Sequence, residues 1–148
     1  MPELYLFDTN ILVHLVRDDA TGQQIKAKYN PFSLDPKPRY CVVSEGEIRS
    51  LALQFLWGSP KLNQMEFALA HLGRLTIEKL EVMNAYAMLD AYSKTQGITM
   101  GKNDLWIAAT AFSADARLVT TDNDFNHLTP GFIRVDKVEY ETGSSLTQ

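Results

Sequence analysis

The sequence predicts an α/β protein of three layers, with helices on both faces of a central, mostly parallel sheet. Three observations carry that expectation. The runs Leu4-Tyr5-Leu6-Phe7, Arg39-Tyr40-Cys41-Val42-Val43 and Leu118-Val119-Thr120-Thr121 are apolar or β-rich and too short for helices. Longer segments with apolar residues three and four apart separate them, and such alternation implies parallel strands joined by right-handed crossovers. Two of the runs stop at an aspartate, Asp8 and Asp122, as befits strand ends along a site-bearing sheet edge.

Residues 3–7 form the first expected strand. Residues 10–17 are apolar at 11, 12, 15 and 16, a helical stripe. Polar helix-formers at 22–29 make a second helix, which Asn30-Pro31 ends. Pro36 and Pro38 mark a loop before the strand at 39–43. Ser44 then opens a helix with Ile48, Leu51, Ala52 and Phe55 on one face, ended by Gly58 and Pro60. Residues 61–73 repeat the pattern through Leu62, Met65, Leu69 and Leu72, stopped by Gly73. A short strand is expected near 75–80, and a long helix over 82–96 ends at Gly97. A further helix over 104–115 carries Leu105, Ala108, Ala111 and Phe112 on its apolar face. The strand 117–121 leads into the turn Thr121-Asp122-Asn123-Asp124, and 131–135 is the last strand. One domain over 1–141 is expected, with a flexible tail at 142–148.

At 148 residues the chain is long enough to bury a sizeable core. A formal net charge of −4 argues against a protein that coats nucleic acid non-specifically, which needs a broad basic face. It leaves room for an enzyme that meets phosphate through a cation. The single cysteine, Cys41, has no internal disulfide partner and reads as a small buried strand residue. Met1-Pro2-Glu3 lacks a basic leader, and no apolar run approaches the roughly 20 residues that span a bilayer. No membrane role and a cytoplasmic location are expected.

Function is read from four acids, Asp8, Glu47, Asp104 and Asp122. Each has a structural reading when taken alone. Asp8 and Asp104 suit helix N-caps, Ser44 and Glu47 have capping-box spacing, and Asp122 suits an Asx-turn. Taken together they follow two strand ends and open two helices, the elements that meet along one edge of an α/β sheet. Carboxylates gathered there repel one another unless a cation lies between them. Oxygen-only ligands suit Mg²⁺ or Mn²⁺, ions that commonly serve phosphate chemistry. A metal-dependent nuclease follows. Its attacking group is a water activated by the cation, so no Ser, Cys or His nucleophile is required. Ala108 and Ala111 share the face of Asp104 and let that helix pack close to the sheet.

Four segments in order carry a family resemblance: Phe7-Asp8-Thr9-Asn10; Val42-Val43-Ser44-Glu45-Gly46-Glu47-Ile48; Gly101-Lys102-Asn103-Asp104-Leu105-Trp106-Ile107-Ala108-Ala109; and Val119-Thr120-Thr121-Asp122-Asn123-Asp124-Phe125. The chain resembles the PIN-domain ribonucleases, above all the VapC-type toxins of bacterial toxin–antitoxin pairs, from residue 4 to about residue 128. The resemblance implies that Asp8, Glu47 and Asp104 are metal-binding acids and Asp122 the fourth, more variable one. Asp124 either assists or caps the turn before Phe125. Glu45 is the decoy beside Glu47, turned more outward by the helix stripe. Thr9 and Asn10 are expected to orient Asp8, and Thr120 or Thr121 to orient Asp122. The family implies hydrolysis of RNA leaving a 5′-phosphate, with a transfer RNA as the substrate guess.

His14, His71 and His127 show no ligand spacing, and Trp57 and Trp106 read as packing residues. Lys102 either touches a phosphate or is solvated, and Asp90 and Tyr92 border the substrate path or do not. Two other classes stay open. One is a phosphotransfer domain, although Asp8-Thr9-Asn10 lacks the second acid of an Asp-x-Asp strand end. The other is a catalytically silent PIN module that binds RNA or protein. A cognate antitoxin and a homodimer are the expected partners. Phe55, Leu56, Trp57, Met65 and Phe67 exceed the apolar groups one sheet face needs, so another chain is expected to cover them.

Overall fold

Residues 2–140 are described by a computed structural model, and the expected tail at 142–148 lies outside them. The elements in order are β1 (Tyr5–Phe7), α1 (Thr9–Arg17), α2 (Ala20–Tyr29), β2 (Arg39–Cys41), α3 (Val42–Gln54) and α4 (Ser59–His71). β3 (Gly73–Leu75), α5 (Leu80–Thr95), α6 (Lys102–Ala114), β4 (Arg117–Thr120), a 3₁₀ turn (Asn126–Leu128) and β5 (Arg134–Lys137) follow. The strands form one sheet in the order β3-β2-β1-β4-β5, and every pairing is parallel.

Alternate side chains on each strand enter opposite cores, which is what a sheet covered on both faces requires. Phe7, Tyr40 and Val119 pack with α1, α2, α3 and α4 through Ile11, Leu15, Ile25, Ile48 and Met65. Leu6, Cys41 and Leu118 face the other way, onto α5 and α6 through Val82, Leu89, Leu105 and Ala108. The three-layer α/β/α expectation therefore holds, and Cys41 is a buried strand residue. Ala108, Ala109 and Ala111 are fully buried and hold α6 close to the sheet. Phe112, placed on the same stripe by periodicity, instead stands on the exposed side.

Several boundaries differ from the sequence reading. The strand expected over 39–43 stops at Cys41, and α3 begins at Val42 rather than Ser44. Packing overrides the β preference of the Val42-Val43 pair. Gly58 and Pro60 do not end α3 but start α4, with Gly58 as N-cap and Pro60 in the first turn. α3 ends earlier in a Schellman turn. Leu56 N–H bonds Leu53 O at 3.3 Å and Trp57 N–H bonds Ala52 O at 3.0 Å. Leu56 takes the left-handed position with φ 53°, where glycine is usual, so no glycine signal marked the stop.

β3 lies at 73–75, earlier than the expected 75–80, because Gly73 pairs with Arg39 at the sheet edge. β5 lies at 134–137 rather than 131–135. Phe132 and Ile133 looked like strand, but their N–H groups close a turn on Leu128 O. β5 itself is an edge strand whose charges are paired: Arg117 bridges Glu3 (2.8 Å) and Asp136 (3.1 Å), and Arg134 bridges Glu3 (2.7 Å).

In the order 3-2-1-4-5 the chain adds strands on one side of β1 and then returns to its other side. The carboxyl ends of β1 and β4 flank that reversal, the crevice where open α/β sheets hold ligands.

Candidate active site

The site grows from the ends of those two strands. Asp8 continues β1 by one residue, with its N–H bonded to Val119 O at 3.0 Å. Its backbone is extended, which makes it the N-cap of α1, and Oδ1 accepts from Thr9 N–H at 2.8 Å. Oδ2 accepts from the Thr120 hydroxyl at 2.7 Å. The Thr120 oxygen in turn accepts from Asp122 N–H at 3.0 Å. One hydroxyl therefore fixes the acids after β1 and β4 relative to each other.

Glu47 reaches the same place from α3. Its Oε1 accepts from the Thr9 hydroxyl at 2.6 Å, and Ser44 Oγ lies 2.9 Å from that same Thr9 oxygen. Asn103, in the first turn of α6, donates to Glu47 Oε2 at 3.1 Å. Two expectations change here. The capping box of Ser44 and Glu47 is not formed, because α3 starts before Ser44 and both side chains turn inward to Thr9. Thr9 also serves two acids, its N–H holding Asp8 and its hydroxyl holding Glu47.

Asn10 departs from the reading as well. Its amide reaches Thr121 Oγ1 (3.2 Å) and Asp122 Oδ2 (3.4 Å) rather than Asp8. The cause is helical geometry: as the second residue of α1, Asn10 points across to the turn after β4. Asp104 sits in the first turn of α6, whose N-cap is Gly101, so it is free of the capping role.

All four acids line one open cavity of about 650 Å³ together with Thr9, Asn10 and Asn103. Glu45 does not line it; Arg49 and Arg74 hold its carboxylate outside, at 3.0 and 3.3 Å. Asp124 does not line the cavity but acts on it through its charge, which raises Asp104. Burial pushes Asp8 up to about 6, helped by the charges of Asp122 and Glu47 and opposed by the bonds from Thr120 and Thr9. Asp104 is pushed up to about 7 by burial and by Asp8 and Asp124. Asp122 is raised by burial and Asp124, with Lys137 pulling the other way. Such mutual elevation marks carboxylates crowded without a counter-charge.

A divalent cation fits this donor set chemically: four hard oxygen donors, three of them held above their ordinary range. Among the described residues no three such side chains yet converge on one point. Glu47 and Asp8 keep both oxygens on their hydrogen-bond partners.

The remaining tempting residues are placed as structure. His14 is buried on Asp19 (2.8 Å), His71 bonds Phe67 O (2.8 Å), and His127 bonds Ser93 (2.7 Å). Trp57 is buried, and Trp106 packs on Tyr86. Asp90 pairs with Lys94, and Tyr92 packs on Phe132. Neither lines the acid cavity. Sequence reasoning assigned no role to Asn103 and gave Ser44 only that of a helix cap. Asn103's one signal was its place directly before Asp104 at a helix start.

An α/β/α fold with acids gathered at its switch point defines the class. The PIN domain matches residues 5–129, and the chain belongs to that family. Membership removes the phosphotransfer reading. No curated protein matches the chain in sequence. Solved structures share the fold. VapBC2 of Rickettsia felis, bound to a promoter DNA fragment, has a TM-score of 0.71 at 17% identity, covering 90% of this chain and 98% of that one. VapBC-1 of nontypeable Haemophilus influenzae gives 0.68 at 24% identity, over 90% and 97%. VapBC-5 of Mycobacterium tuberculosis, a member of the VapBC family of toxin–antitoxin systems, gives 0.65 at 21%, over 94% and 100%. Among the described residues no helix is long and apolar enough to cross a membrane.

Proposed function

We infer that the chain is a divalent-cation-dependent endoribonuclease of the VapC type, the toxin of a toxin–antitoxin pair working in the cytoplasm. The observation that carries the reading is the acid cavity: four carboxylates from four chain segments, at the switch point, with Asp8 and Asp104 raised to about 6 and 7.

Asp8, Glu47, Asp104 and Asp122 would hold Mg²⁺ or Mn²⁺. Such a cation, when bound, would supply Lewis-acid chemistry: polarisation of the scissile phosphate and a lowered pKa for a water. The protein's own groups do the rest. Thr120 and the Thr9 N–H fix the rotamer of Asp8, and Thr9 and Asn103 fix Glu47. A carboxylate of the set orients the attacking water or takes its proton. Lys102 lines the mouth of the site beside Asp104 and meets a phosphate oxygen of the incoming strand. The domain is one unit over 1–141.

The partner reading rests on the same cavity. It extends along α3 past Leu51 to Gln54, next in the chain to Leu53, Phe55 and Leu56, all exposed; Phe67, also exposed, packs instead on Phe32 and His71. Trp57 and Met65, counted in that apolar excess from sequence, belong instead to the core. An antitoxin helix fits the exposed groups and sends a basic side chain to the acids. A homodimer and a transfer RNA substrate complete the proposal.

The test is incubation of the purified protein with total RNA in Mg²⁺, in Mn²⁺ and in EDTA, beside Asp104→Asn. Cleavage is expected only with the cation and only for the unaltered chain. Binding of RNA without cleavage under every condition would favour the silent module.

A further inference from the structure

A second cavity lies on the other side of the loop that enters α6. It has a volume of about 400 Å³, within the range of small-ligand pockets. Ile98 and Met100 give it an apolar wall, and Asn123, Asp124, Asn126 and His127 give it a polar one. It is not isolated from the acids. A shallow recess lined by Glu47, Gly101, Lys102, Asn103 and Asp104 shares Gly101 with it and shares Glu47, Asn103 and Asp104 with the acid cavity. Asp124, on its wall, is close enough for its charge to raise Asp104. The second cavity and the acid site therefore adjoin across the loop at Gly101.

Two of its polar groups are held in place. Lys137 donates to Asn123 Oδ1, which leaves the Asn123 amide nitrogen to donate elsewhere. His127 is anchored through Nε2 to Ser93 Oγ at 2.7 Å, with Tyr92 parallel to its ring. Asn126 is exposed, and it is its backbone, not its side chain, that bonds within the 3₁₀ turn. An apolar wall facing amide groups, that of Asn123 held by Lys137, is the chemistry that seats a flat heterocycle and reads its edge.

We propose that this second cavity is a nucleobase subsite, seating an unstacked base of the strand whose phosphate lies over the acids. The inference rests on the nuclease reading for the phosphate's position and adds a determinant of sequence preference. Asn123 and Asn126 hydrogen-bond the base edge, and Ile98 and Met100 cover a face. Binding energy gathered there fixes which phosphodiester reaches the acids.

The test uses a pool of single-stranded oligoribonucleotides with randomised positions, cut in Mn²⁺ and sequenced at the new ends. The unaltered chain is expected to prefer one base at a single position next to the cut. Asn126→Ala and Asn123→Ala should each flatten that position alone, with about a fivefold loss in kcat/KM on the preferred oligomer, carried mainly by KM. An unchanged preference in both variants, each with unchanged melting, overturns the proposal.

A second measurement separates this from the nuclease reading. Fluorescence anisotropy with the preferred oligomer, or with four homopolymers if nothing is cut, reports binding to Asp104→Asn with and without Asn126→Ala. Base-dependent binding that Asn126→Ala removes supports the subsite even where cleavage fails. Binding that ignores the base in both proteins overturns it.

Discussion

Asp8→Asn should make the cation-free protein more stable, not less. Asp8 is almost wholly buried, and ionising it there is opposed by burial and by Asp122 and Glu47. Its carboxyl sits at about 6, against an ordinary value of 3.8. At about 1.4 kcal/mol per tenfold change in proton affinity, keeping Asp8 ionised costs the folded state about 3 kcal/mol. The sign follows from linkage. A group raised in the folded state contributes stability that is complete below pH 3.8 and lost as pH rises through about 6. The unaltered chain in EDTA should therefore be markedly less stable at pH 8 than at pH 5.

Asparagine keeps the volume and still accepts from Thr9 N–H, but carries no charge. In EDTA at pH 8, urea unfolding should place Asp8→Asn above the unaltered chain by up to about 3 kcal/mol. The gap should close near pH 4. Millimolar Mn²⁺ should stabilise the unaltered chain and leave Asp8→Asn nearly unmoved. An unaltered chain that equals or exceeds Asp8→Asn at pH 8 in EDTA would refute the crowding argument, and with it the electrostatic case for a cation here.

Three further outcomes follow. Glu47→Gln should abolish RNA cleavage, whereas Glu45→Gln should be nearly neutral, because Glu45 is held outside the cavity by Arg49 and Arg74; steady-state cleavage rates decide it. Gly22→Ala should destabilise by about 1–3 kcal/mol in chemical unfolding, since a Cβ there would lie 2.1 Å from the backbone oxygen of His14 where α2 crosses α1. Leu56→Asn should hold or raise stability by up to about 1 kcal/mol, because it eases a left-handed leucine. If the exposed Leu56 is part of the partner surface, the same change should weaken capture of the cognate antitoxin in a pull-down.

The layers of the fold were legible because burial on two faces leaves a strong mark. β1 and the centre of β4 are apolar, and Asp8 and Asp122 follow one and two residues beyond the strand ends. Element ends were less legible, for local reasons. Leu56 fills a glycine's place, Gly58 and Pro60 punctuate the start of a helix rather than its stop, and β5 shows charges because it lies at an edge. The acids were readable, but their supports were not. Whether Asn10 serves Asp8 or Asp122 depends on where β4 ends across the sheet. Whether Ser44 caps a helix or faces Thr9 depends on a start point two residues earlier.

Those supports explain how one site holds its acids close before any counter-charge arrives. Four carboxylates left free would swing apart into solvent. Here Asp8 cannot, with Thr9 N–H on one oxygen and Thr120 on the other. Glu47 is restrained by Thr9 and Asn103, and Asp122 by Asn10 and the Thr120 oxygen. The bonds from Thr120 to Asp8, from Thr9 and Asn103 to Glu47 and from Asn10 to Asp122 each come from a residue one or two positions from an acid of another segment, so closing the sheet also brings these supports together. The burial and like-charge repulsion that raise Asp8 and Asp104 are thereby stored in the folded state. A cation or an antitoxin's basic side chain gains affinity by relieving it, and the two would compete for the same charge.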